Sequence, residues 1–100
     1  MKGQQFFVYI MSNPRRTVYY TGMTNSLERR YIEHVWKQHN ISFTARYNVI
    51  DLLYFEEYIS SLDTIKREKQ IKGWTRKRKI ELIKTTNPEM KNLFIVTSSC

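Results

Sequence analysis

Two features of this sequence have the residue types and spacing to do chemistry. Over residues 27–36 the apolar side chains Leu27, Tyr31 and Val35 recur at helical spacing, and Ile32 and Trp36 widen the same side. Arg30 and His34 lie one turn apart on the other flank of Leu27. Two donors in register beside a buried stripe can point into one cleft and hold an anion. The same pattern also describes an ordinary amphipathic helix with a basic edge. The second feature is Glu68. Ile65, Glu68 and Ile71 recur at spacing three, which sets a carboxylate at the edge of a buried line. A carboxylate there needs a partner, because leaving it unpaired is costly. An arginine in a structural salt bridge would serve, the commoner case for one glutamate, and so would a divalent cation.

Both features depend on elements that must position them. The apolar run Phe6-Phe7-Val8-Tyr9-Ile10-Met11 is rich in β formers and ends at Ser12-Asn13-Pro14, as a strand would. Asn13-Pro14-Arg15-Arg16 has proline at the usual second position of a turn, and residues 17–21 return as the other half of a hairpin. Tyr9 and Tyr20 then lie on neighbouring strands, with the register left open. Gly22 permits a turn or a close approach of the backbone. Asn25 suits a helix N-cap, with Glu28 at capping-box spacing, and a helix is expected over about 26–38. Residues 39–46 are polar and read as loop. A third strand is expected over 52–58, and its apolar run implies a central position. Ser60 and Asp63 again have capping-box spacing before a second helix, which reaches Lys72 and stops at Gly73. Trp74 is a candidate core anchor. Thr75 can cap a third helix, from 76 to about 84, that buries Ile80 and Ile83 and ends at Asn87-Pro88. In the tail, 91–100, Leu93, Phe94, Ile95 and Val96 are packing candidates, and 97–100 is expected to fray. The expected fold is a single α+β domain over 1–100 with its core at about 5–90. It has a small three-stranded antiparallel sheet with flanking helices in the order β-β-α-β-α-α.

Composition narrows the partners. The net charge is +8 and the pI about 9.8, which favours a polyanion, nucleic acid first and an anionic membrane surface second. Lys66, Arg67, Lys69, Lys72, Arg76, Lys77, Arg78, Lys79 and Lys84 make one long positive surface over the second and third helices. Phosphate contacts are expected from Lys72, Arg76, Lys77 and Lys79. The single cysteine, Cys100, cannot form an internal disulfide, which suits a reducing compartment. The 6–11 run is too short for a signal-peptide core, and no run approaches the ~20 apolar residues of a membrane span, so a cytoplasmic protein is expected. His34 and His39 have no cysteine nearby, which argues against structural zinc. No phosphate-binding glycine loop is present, and no spacing suggests a Ser-His-Asp triad.

Taken together, these residues resemble the GIY-YIG nuclease domain, particularly its small stand-alone bacterial members. Phe7-Val8-Tyr9 corresponds to the first half of the signature and Tyr20-Thr21-Gly22 to the second. Thr24-Asn25-Ser26-Leu27-Glu28-Arg29-Arg30, with His34 one turn on, looks like the helix that follows. Arg67-Glu68-Lys69-Gln70-Ile71-Lys72-Gly73-Trp74 looks like the segment carrying the metal-binding glutamate. Phe7 stands in place of glycine, Val8 and Thr21 in place of isoleucine, and Met23 where some relatives carry a lysine. The resemblance implies a metal-dependent endonuclease that hydrolyses phosphodiester bonds, with Tyr9, Tyr20, Arg30, His34 and Glu68 gathered on one face of the sheet. Glu68 would hold one Mg²⁺ or Mn²⁺, and Arg30 would neutralise the scissile phosphate. Tyr9, helped by Tyr20, would be the first choice to activate water, its pKa lowered by metal and Arg30, although the resemblance leaves open which of the two tyrosines does it. His34 would orient a tyrosine or relay a proton. DNA is the expected substrate and DNA repair the expected setting, with selection by structure rather than sequence. A monomer is expected. The alternative is a nucleic-acid-binding module that cuts weakly or not at all, and a more distant one is a protein-interaction scaffold.

Overall fold

The computed structural model of the chain describes residues 4–36 and 49–93, with the side chains of residues 34–36 outside that description. Strand β1, Phe6–Ser12, is the middle of a three-stranded antiparallel sheet of order β2-β1-β3. Its apolar residues are buried on both faces, as a doubly covered strand requires. Strand β2, Tyr19–Thr24, pairs on one side with Tyr9 opposite Gly22 and Met11 opposite Tyr20. Strand β3, Asp51–Tyr58, pairs on the other side with Tyr9 opposite Phe55. The expectation of a central third strand is therefore corrected. The apolar run of β3 fills only its first half, and Phe55 and Glu57 beyond it are exposed, so β3 is an edge. A bulge after Ile10 lets Leu53 and Tyr54 join the same core despite being consecutive.

The hairpin turn forms where expected, with the Arg16 amide donating to the Asn13 carbonyl at 2.9 Å. The Asn13 carboxamide oxygen then accepts from the amides of Thr17 and Val18, at 3.0 and 2.9 Å. Those amides are used locally, so β2 begins at Tyr19 rather than 17 and continues through Gly22 to Thr24. Gly22 is thus a strand residue and not a turn residue.

Among the described residues three helices cover the sheet. Helix α1, Leu27–Trp36, is capped by Ser26, whose hydroxyl accepts from the Arg29 amide at 3.2 Å. Asn25, the expected cap, instead receives the Arg29 guanidinium at 2.7 Å. Helix α2, Ser61–Lys72, starts at the expected Ser60 cap and ends at Gly73, which keeps a right-handed φ of −81°. Helix α3, Arg76–Thr86, is capped by Thr75 and buries Ile83, with Ile80 half-buried. Leu27 and Tyr31 of α1 pack on Tyr9, Met11 and Leu52 on one face of the sheet. Ile71 and Ile83 pack with Val8, Ile10, Leu53 and Tyr54 on the other, with Trp74 at the margin. The segment after α3 docks on β3, where Asn92 accepts from the Leu52 amide at 2.9 Å. Element order and sheet match the α+β expectation. His39 and the rest of the expected 39–46 loop, and Phe94, Ile95, Val96 and Cys100 of the tail, lie outside the described residues.

Two stability predictions arise here. Thr21 faces the α2 side opposite Ile10, and its buried hydroxyl has no hydrogen-bond partner among the described residues. Burying an unpaired hydroxyl is unfavourable. Thr21→Val, nearly the same shape, is expected to stabilise the domain by about 1 kcal/mol, read from denaturant midpoints. The second concerns Glu56 on β3. Burial pushes its carboxyl upward, but the Arg67 fork, at 2.8 Å to each oxygen, and the hydroxyls of Tyr54 and Tyr58 outweigh that and hold it below the usual carboxylate range. A pKa depressed by folding gives stability that is present above the unfolded value, near ~4.3, and lost as pH falls through the folded value. Glu56→Gln is expected to flatten the acid limb of the stability curve, measured as melting temperature against pH.

Candidate functional site

Alternation along β1 and β2 places Tyr9 and Tyr20 on the same face, their ring centroids 6.3 Å apart and tilted by 39°. Gly22 explains how the Tyr9 ring fits. A methyl group at Gly22 would lie 2.6 Å from the ζ carbon of that ring and against its hydroxyl, so the ring lies over bare backbone. The Arg30 Nε donates to the Tyr9 hydroxyl at 3.1 Å, and Nη1 reaches the Glu33 carboxylate at 3.0 Å. The guanidinium plane is therefore held at two points while the side chain stays 41% exposed. The Tyr9 hydrogen bond is the main cause that raises the Arg30 pKa, so the group is a permanent cation.

Without a metal, Arg30 alone does not lower the pKa of Tyr9. Burial pushes it up to about 12 and outweighs the opposing pull of Arg30. The crevice beneath Arg30, lined by Tyr9, Met11, Leu27, Tyr31 and Leu52, has no room for a water molecule. Tyr20, by contrast, is only half-buried.

Glu68 is on the other side of the sheet. Thr64 and Ile71 are the buried residues of α2, and Ile71 belongs to the Val8, Ile10 and Leu53 core. Glu68 shares their line, whereas Ile65 is 36% exposed. The expectation of one shared face is thus corrected: α2 approaches the face opposite Tyr9. The partner of Glu68 is neither of the two expected. Lys72, one turn on, reaches its Oε2 at 2.7 Å. A partly buried arginine–carboxylate bridge is made next door, by Arg67 with Glu56.

Tyr20 joins the two halves. It raises the pKa of Arg30 on one face and of Lys72 on the other, in each case behind a direct hydrogen bond as the larger cause. Its hydroxyl is within electrostatic reach of both. As β2 is an edge strand, Tyr20 sits where the two faces meet. Arg30, Tyr9 and Tyr20 therefore gather on one face, Lys72 and Glu68 are paired on α2, and Tyr20 acts electrostatically on both Arg30 and Lys72. The His34 side chain lies outside the described residues. Arg76 and Lys79 line a groove on α3, and the exposed Lys77 does not line it. Glu33, which sequence reasoning passed over, is an essential part of how Arg30 is held; its spacing of three from Arg30 was the available signal.

The family described as the GIY-YIG catalytic domain matches residues 5–81. The chain belongs to the GIY-YIG family. This is a nuclease family. The chain is 36% identical over 83 residues to a UPF0213 protein of Syntrophus aciditrophicus, covering 83% of this chain and 93% of that protein. It is 33% identical over 90 residues to a UPF0213 protein of Clostridium perfringens, covering 86% and 90%. The fold resembles the solution NMR structure of the UPF0213 protein BH0048 from Bacillus halodurans. The TM-score is 0.56 and the identity 20%, over 95% of this chain and 99% of that one. Among the described residues no helix is long and apolar enough to cross a membrane.

Proposed function

We propose that this GIY-YIG domain is an endonuclease that hydrolyses phosphodiester bonds in DNA, selects its substrate by structure, and works with one Mg²⁺ or Mn²⁺ at Glu68. The observation that carries the reading is the Arg30 guanidinium, fixed by Tyr9 and Glu33 yet open to solvent. Fixed donors aimed at growing charge are the largest single source of catalysis in such sites. Glu68 fits a magnesium role of limited kind. It is one carboxylate, and among the described residues no group of three His, Cys, Asp or Glu could hold a metal. Mg²⁺ binds through one or two carboxylates, substrate phosphate and retained waters. When bound, such an ion supplies charge neutralisation and a water of lowered pKa.

The chain's own residues divide the remaining work. Arg30 binds the phosphate through its fork and neutralises it. Tyr9, buried and near pKa 12, orients Arg30 rather than taking a proton. Tyr20, which acts electrostatically on both Arg30 and Lys72, is the better placed tyrosine to accept a proton from water. This reverses the first choice made from sequence. Lys72 holds the Glu68 carboxylate in place, and Arg76, Lys77 and Lys79 extend phosphate binding along α3.

The deciding experiment incubates purified protein with single-stranded, duplex, flap and branched DNA and with RNA, with Mg²⁺ or Mn²⁺. Metal-dependent cleavage of one structured DNA is expected. Tyr20→Phe should lose more activity than Tyr9→Phe, which keeps the ring but not the Arg30 contact. Binding without cutting under every condition would favour the non-catalytic binding module instead.

A further inference from the structure

An open groove of about 260 Å³ lies between the segment entering β2 and the first turn of α3, lined by Thr17, Val18, Tyr19, Arg76 and Lys79. Its lining contains two cations and no acid. The first turn of α3 contains no acidic residue either. Arg76 donates Nη2 to the Thr17 carbonyl at 2.8 Å, which fixes its plane and leaves other guanidinium donors for an anion. Lys79 is half-buried and has no ion pair or hydrogen bond among the described residues. Burial, and after it the charge of Lys72, hold its ammonium below the ordinary lysine value. A partly desolvated lysine lowers the stability of the empty domain, and an anion seated beside it would reverse that. Arg78 takes no part: its guanidinium is stacked over Trp74, 4.2 Å from the ring centroid.

Size and shape restrict the ligand. The volume falls just below the ~300 Å³ at which small-molecule pockets begin, and those bury most of their ligand. An open groove suits a piece of a polymer. Val18 and Tyr19 offer an apolar wall, and the cations offer a phosphate seat. Lys72 connects this groove to the candidate centre, since it reaches Glu68 and acts on Lys79.

We propose that this groove seats one phosphate–sugar unit of the nucleic-acid strand, beside the unit that is cut and separate from it. The inference rests on the nuclease reading above. It assigns Arg76 and Lys79 a defined contact and leaves Lys77 to general attraction.

The test is equilibrium binding of labelled duplex and single-stranded DNA without divalent metal, from about 50 to about 200 mM salt. Wild type is compared with Lys79→Met, Lys79→Arg, Arg76→Gln and the control Lys91→Gln, whose ammonium is paired with Glu89. Lys79→Met is expected to lower affinity roughly tenfold at the low-salt end, as loss of a charge-assisted contact does. The salt slope on duplex should fall by about 0.9, so that wild type loses about 3.5-fold more affinity than the variant across that salt range. The same variant should melt higher than wild type, because a partly desolvated cation is gone. Lys79→Arg should restore binding, and Lys91→Gln should leave the slope unchanged. If wild type binds and Lys79→Met keeps its slope, the groove assignment is overturned while the nuclease reading stands. A Lys79→Met protein that melts lower and is not rescued by arginine also overturns it. Lys79-dependent binding to phosphatidylserine vesicles, without Lys79-dependent DNA binding, overturns it in favour of a lipid surface. Failure of wild type to bind any DNA or RNA removes both readings.

Discussion

Arg30→Ala is expected to slow cleavage by on the order of 100-fold or more while leaving DNA affinity within a few-fold. The guanidinium is held in the free protein by the Tyr9 hydroxyl at 3.1 Å and by Glu33 at 3.0 Å, so its orientation is set before substrate arrives. An interaction that strengthens as phosphate charge grows raises the rate selectively, and ground-state binding shows little of it. Arg30→Lys should recover only part of the loss, because lysine keeps the charge but not the planar fork. Removing Arg30 takes a donor from a buried phenol and a cation from Glu33, so a modest drop in melting temperature is expected, about 1 kcal/mol. Arg29→Ala is the internal control. Arg29 is 60% exposed and touches Asn25 and, at 3.9 Å, Glu33, but not Tyr9. Single-turnover rates and separate binding isotherms for the three variants give the comparison. Equal losses from Arg29→Ala and Arg30→Ala would remove Arg30 from the reaction.

What the sequence showed, and what it did not, divides along the range of the interactions involved. The apolar 6–11 run, the Asn13-Pro14 turn, the Ser60 and Thr75 caps and the stop at Asn87 are local signals, and all are where expected. The centre of the sheet was not legible. Runs 6–11 and 52–55 are equally apolar, and only pairing with β2 distinguishes the strand that is covered twice. Gly22 left a turn and a close approach both open, and the register with Tyr9 decided for the approach. The candidate site failed in the same way. Arg30 was readable from its place on α1, but the carboxylate that holds it, Glu33, differs little in sequence from any exposed glutamate. Glu68 is on the helix expected for it, but α2 packs on the Val8 and Ile10 face and not on that of Tyr9. Ile65 has the right chemistry for the buried line but lies on the exposed shoulder of α2, while the buried position falls to Thr64. A polar residue in the core line is invisible to a pattern of apolar residues.

Glu68→Gln is expected to abolish metal-dependent cleavage, leave the fold nearly as stable as wild type, and leave DNA binding unchanged or slightly tighter. The geometry makes this separation sharper than the sequence alone allowed. Had Glu68 been one arm of a buried arginine bridge, removing its charge would strand a buried cation at a cost of about 3–5 kcal/mol. Its partner is instead Lys72 at i+4, and that lysine side chain is 54% exposed. The Glu68 side chain is itself only 12% exposed, but its lysine partner is not buried with it, and water solvates the released ammonium. The arginine–carboxylate bridge of this region belongs to Arg67 and Glu56, which the substitution does not touch. Binding should hold because one negative charge leaves a positive surface, and Lys72, freed from Glu68, becomes available to phosphate. Thermal melts of both proteins with and without Mg²⁺, beside a cleavage assay, supply the readouts. Wild type alone should show a Mg²⁺-dependent shift in melting, following the mass-action stabilisation of a bound state. A Glu68→Gln protein that still cuts with Mg²⁺ would remove Glu68 as the metal ligand. One that melts several kcal/mol weaker would show that its carboxylate serves the fold instead.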